Sequence, residues 1–154
     1  MKSKGPDWWV KIGDFGISKR AEDILETTIG TPAFLAPEVL VRFGYLDDDI
    51  LEVCEEYTVA VDIWSLGEIV FRALTGERPF PRSLGAYIKG NSPFPVDVLR
   101  ARGVSQEGCN FLKCLMAPIP EDRLTAKDAL SHIWIEPQRP SSGRVSAEMQ
   151  RYLF

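Results

Sequence analysis

Residues 57–76, YTVAVDIWSLGEIVFRALTG, decide how the rest of this chain reads. The apolar members Val59, Ile63, Leu66, Val70, Ala73 and Leu74 recur at i, i+3, i+4 and i+7, the period of one helix face. Trp64, Gly67 and Phe71 widen that stripe to roughly half the helix circumference, more than a surface helix needs. Asp62, Ser65, Glu68 and Arg72 fall in one narrow polar band. The spacing therefore predicts a long central helix covered on most sides by other elements. Thr58 is placed to cap its N-terminus, Gly76 to end it in a left-handed residue, and Pro79 to stop the chain from continuing. Asp62 sits in the first turn of this otherwise buried segment, where a carboxylate needs neighbouring donors to satisfy it.

Outward from this helix, composition sets the limits. A length of 154 residues suits one domain, and 45% hydrophobic with 26% charged residues is ordinary for a globular chain. The net charge is −4 with no long basic tract, so nothing points to nucleic acid or to an anionic membrane surface. No apolar run reaches the roughly 18 residues of a spanning helix. Cys54, Cys109 and Cys114 lack metal-ligand spacing and read as reduced thiols, which places the chain inside the cell. His132 is the single histidine, which removes Ser-His-Asp catalysis.

At the start of the chain, residues 8–12 read as a short strand with Trp8, Val10 and Ile12 on one face. Asp14-Phe15-Gly16 follows at once, and an acid in a tight glycine turn at a strand end can aim its carboxylate at a metal ion. Residues 17–30 lack periodicity and read as a loop carrying Thr27 and Thr28. The loop ends in Gly30-Thr31-Pro32-Ala33-Phe34-Leu35-Ala36-Pro37-Glu38. Six acids crowd residues 47–56 without the glycine and alternating oxygens of a calcium loop, so that run reads as a solvated insertion. Residues 84–89 and 105–116 predict two further helices, the second with Phe111, Leu112 and Leu115 inward. Thr125 opens a capping box with Asp128. Residues 137–154 read as a flexible tail, Pro, Ser, Gly and Arg rich over its first half, after a domain spanning 1–136.

These motifs, in this order, resemble the eukaryotic protein kinase family of serine/threonine type. Asp14-Phe15-Gly16 and Ala36-Pro37-Glu38 are similar to the two ends of its activation segment. The Asp62-x-Trp64-Ser65-x-Gly67 run is similar to its helix F, and Pro120-Glu121-Asp122-Arg123 to the entry into its last helices. The resemblance implies a mainly α fold, the C-terminal helical lobe with one short β-strand near the N-terminus. It assigns Asp14 to magnesium, Thr27 and then Thr28 to activating phosphorylation, Gly30 and Thr31 to the substrate loop, and Glu38 with Arg123 to a buried ion pair. Trp64 belongs to the structural core of helix F, and Asp62 is implied to accept backbone amides from a catalytic loop.

The departures weigh equally. The 13 residues before Asp14 contain no His-Arg-Asp motif, and no glycine-rich phosphate loop or strand lysine is present. The N-terminal lobe and catalytic loop are thus expected to be absent, and this chain to be an inactive fragment of a kinase whose parent transfers the γ-phosphoryl group of ATP to protein hydroxyls. ATP and magnesium belong to the intact family, and neither is expected to bind this chain tightly. The second reading is a non-catalytic binding module. In both, protein substrates or regulators are expected at the helix near residues 84–89, and an uncovered helix F surface is expected to self-associate.

Overall fold

The computed structural model describes Gly13, residues 31–47 and residues 58–136. The strand expected at 8–12, the Asp14-Phe15-Gly16 turn, Thr27, Thr28, Gly30, the acidic run beyond Asp47 and the tail at 137–154 lie outside the described residues. Six helices follow in order: α1 (Pro37–Arg42), α2 (Ala60–Thr75), α3 (Leu84–Ile88), α4 (Val96–Ala101), α5 (Gln106–Leu115) and α6 (Ala126–Leu130). Two 3-10 turns, Pro32–Phe34 and Pro120–Asp122, precede α1 and α6. Among the described residues there is no strand.

α2 forms the centre, packing most extensively against α5 and also against α4. It starts later than the sequence predicts. Val59 occupies the N-cap position without a side-chain cap, while Thr58 Oγ1 accepts from the Ala60 N–H at 3.3 Å and holds the turn in front of the helix. Gly76 ends it with φ +76°, donating its N–H to Arg72 O at 2.8 Å, as a left-handed cap should.

The face α2 buries differs from the one the apolar stripe predicts. Ile63, Trp64, Gly67, Glu68, Phe71 and Thr75 are buried, whereas Val59, Leu66, Ile69 and Leu74 are exposed at 71%, 41%, 54% and 37%. The reason is Gly67. A Cβ there would lie 2.4 Å from Met116 Cγ, so the absent side chain is what admits the end of α5, and the helix turns its Trp64, Gly67 and Phe71 side inward. Asp62, expected to be buried, is exposed. The rest of the polar band is more covered than Asp62: Glu68 is buried, and Ser65 and Arg72 are half-buried.

Aromatic rings fill the space beside α2. Phe80 stacks on Tyr87 at 4.5 Å and on Trp64 at 6.1 Å, and Phe94 meets Phe71 edge-on at 6.1 Å. Tyr87 donates its hydroxyl to Met116 O at 2.9 Å, and burial pushes that phenol up to about 12. α5 is capped by Ser105, which accepts from the Gly108 N–H, and presents Phe111, Leu112 and Leu115 to the core. α6 is capped by Thr125, whose Oγ1 accepts from the Asp128 N–H at 3.1 Å and donates to the Asp128 carboxylate at 2.7 Å. Beyond α6, Trp134 lies over Gly108, and His132 packs on Phe111 at 5.1 Å while its Nδ1 accepts from the Trp134 N–H.

Candidate functional site

Two arrangements stand out among the described residues: a buried guanidinium that ties distant parts of the chain together, and a docked segment beside a groove.

The first is Arg123, which follows the 3-10 turn Pro120–Asp122 and precedes the α6 cap Thr125 by two residues. The guanidinium has five N–H donors in a fixed fork. Here Nη1 donates to Glu38 Oε1 at 2.7 Å and to Ala60 O at 3.0 Å. Nη2 donates to Glu38 Oε2 at 2.7 Å and to Pro118 O at 3.1 Å, and Nε donates to Ala117 O at 2.8 Å. Every donor has an acceptor. The side chain is 0% exposed and that of Glu38 5%, and the Trp64 ring lies 5.2 Å from the guanidinium carbon. Ala36, Pro37 and Glu38, all buried, thereby fix the start of α1 to the first turn of α2 and to the segment before α6.

The second construction begins one turn upstream. The 3-10 turn Pro32–Phe34 presents its carbonyls to α2, where two side chains seven residues apart collect them. Ser65 Oγ donates to Phe34 O at 2.8 Å, and Arg72 Nη2 donates to Ala33 O at 2.6 Å. The same guanidinium lies 4.1 Å over the Phe34 ring and pairs with Glu68 Oε2 at 2.9 Å. Glu68 is buried, and that burial raises its carboxyl above the usual range, with the Arg72 hydrogen bond and charge opposing. Beside this clamp runs a groove of about 210 Å³, walled by Pro32, Leu35 and Leu40 on one side and by Phe80 and Leu84 on the other. Thr31, at the entrance to the turn, is exposed.

Of the residues singled out from sequence, the structure thus brings together Glu38, Arg123 and Trp64, with Ala36 and Pro37 alongside. It leaves Asp62 apart from them on the open side of α2. Ser65, Glu68 and Arg72 are positioning residues that the sequence reading placed only in a narrow polar band. Their signal was present in the i, i+3, i+7 spacing, but the same spacing serves a hydrated face. Among the described residues no group of three His, Cys, Asp or Glu side chains could hold a metal ion, and Asp14 lies outside them. What the arrangement does chemically is hold one backbone segment against a helix and leave a groove along it.

Residues 1–135 match the protein kinase domain family. The chain is 36% identical to the calcium/calmodulin-dependent protein kinase cmkB of Emericella nidulans over 82% of its own length and 30% of that protein's. It is 31% identical to myosin light chain kinase A of Dictyostelium discoideum over 99% of its length and 50% of that protein's. A crystal structure of the Rad53 kinase domain and SCD2 in complex with AMPPNP is similar over 75% of this chain and 41% of the solved one, at 30% identity and a TM-score of 0.50. The chain thus spans half or less of the length of these relatives. On the family match and on these likenesses, this chain belongs to the protein kinase domain family, among serine/threonine kinases.

Proposed function

We propose that residues 1–136 are the substrate-side lobe of a protein serine/threonine kinase, with 137–154 a tail. The parent enzyme transfers the γ-phosphoryl group of ATP, with magnesium, to serine or threonine hydroxyls of proteins. In this reading Asp14 is the magnesium ligand, Thr27 and Thr28 are the activating phosphosites, and Gly30 with Thr31 forms the loop that receives the substrate hydroxyl. The observation that carries it is the docking of Pro32–Phe34 on Ser65 and Arg72, which fixes the segment following Thr31 and opens a groove beside it. A protein substrate or regulator then lies along that groove and α3, inside the cell.

The 154 residues alone are proposed to bind rather than to phosphorylate. Phosphoryl transfer depends on positioned groups that stabilise developing charge, and this sequence contains no His-Arg-Asp motif to orient the hydroxyl. With magnesium and radiolabelled ATP, this chain is expected to leave a generic serine/threonine substrate unlabelled and to show no saturable nucleotide binding. Magnesium-dependent labelling by the chain alone would overturn that part. A second reading, a non-catalytic binding module, is favoured by the open apolar face of α2, where Leu66, Ile69 and Leu74 are exposed. Sedimentation distinguishes it: concentration-dependent association that Ile69→Lys abolishes supports an interaction role for that face.

A further inference from the structure

The groove beside the docked turn has an uneven charge balance. Glu68, the acid in its lining, is buried and held by Arg72 at 2.9 Å, and Arg72 is itself committed to Ala33 O and the Phe34 ring. Their charges cancel inside the wall. Glu77, just before the next cation, is taken by Arg102 at 3.2 Å. Arg78 also lines the groove and is exposed; its charge acts on Glu68 through space, but no ion-pair contact fixes it among the described residues. Arg82, at the far end of the Pro79-Phe80-Pro81 turn, is likewise exposed and without one. In a chain of net charge −4, this mouth is locally cationic. The apolar lining, meanwhile, comes from Leu35, Phe80 and Leu84.

We propose that this groove selects an extended segment of a partner protein in which Asp or Glu flanks an apolar residue. The apolar side chain lies against Leu35, Phe80 and Leu84, and the flanking carboxylate pairs with Arg78. A lysine in that place meets Arg78 and finds Glu68 already neutralised and out of reach of water. The inference rests on the docking reading above and adds the sequence class that docks. Because Arg78 is on the rim, its contribution acts on specificity and is screened by salt.

The test is fluorescence anisotropy with the full 154-residue chain and three labelled peptides that share one apolar residue, flanked by Glu, Gln or Lys. The Glu peptide is expected to bind about fivefold more tightly than the Lys peptide at low salt, with the gap closing at high salt. Arg78→Glu is expected to reverse the ranking, whereas Lys113→Glu, the same charge change on α5 outside the groove, leaves it unchanged. Equal binding of all three peptides, a preference for Lys, or an Arg78→Glu variant that ranks them as before overturns the selectivity while docking stands. Binding of none of them overturns the docking reading itself.

Discussion

Two carboxylate–guanidinium pairs flank the same helix, and they behave as different kinds of contact. Glu38 and Arg123 are 85 residues apart, meet through two parallel bonds, and are almost wholly withdrawn from water. Glu68 and Arg72 are four residues apart on one helix, meet through a single carboxylate oxygen, and leave the Arg72 side chain 24% exposed. The first pair has no alternative arrangement among the described residues, because every Arg123 donor is committed and Glu38 pairs with no second cation there. The second has an outlet: Glu68 can take up a proton, and its raised pKa shows that it is already closer to doing so. Pairing alone does not decide the worth of an ion pair; the cost of what remains when it breaks does.

That contrast can be broken most directly at Arg123. Arg123→Ala leaves Glu38 buried without its partner and strips the Ala117 and Pro118 carbonyls of theirs, and is expected to lower stability by about 3–5 kcal/mol, read as a shift of the urea midpoint. A loss under about 1 kcal/mol would place this pair in the class of ordinary surface contacts. Arg72→Ala removes the clamp on Ala33 and Phe34 but leaves a carboxylate that can be neutralised, so about 1–2 kcal/mol is expected by the same measurement. The loss should shrink as the pH falls and Glu68 takes up a proton.

The pH dependence of the native chain sharpens the same point. Burial raises the folded pKa of Glu68 above the 4.5 of a free glutamate, so the folded state holds its proton more firmly than the unfolded one. Its contribution to stability is therefore fully present below about 4.5 and is lost as pH rises through the raised folded value. Melting temperatures taken across that interval are expected to show this falling component in the native chain and to lack it in Glu68→Gln. At the far end of the scale, Arg102 and Glu77 pair with side chains 53% and 58% exposed, and Arg102→Ala is expected to change stability by less than about 0.5 kcal/mol.

How much of this could be read in advance follows from what spacing encodes. Period 3.6 located α2 and α5, and Ser105 and Thr125 marked helix starts because a side-chain oxygen before an amphipathic run has a local partner to cap. α1 and α4, each six residues long, carry too few turns for periodicity, although Pro37 at the first position of α1 is a start signal. The rotation of α2 was hidden for a different reason. A stripe of leucines and valines says which residues prefer to be covered, while the missing Cβ of Gly67 sets where Met116 can approach. Glu38 and Arg123 could be joined only through motif resemblance, since no local rule spans their separation. The roles of Ser65 and Arg72 depend on carbonyls of Pro32–Phe34, which no side-chain pattern records.

The 85-residue separation of Glu38 from Arg123 also fixes when their contact can form. Closing a loop of that length costs on the order of 4 kcal/mol in chain entropy, which no single contact offsets in a disordered chain. The pair must therefore join late, once α2, α4 and α5 have already gathered, as a latch on an assembled core. Weakening it should hasten unfolding while the folding rate stays as it was.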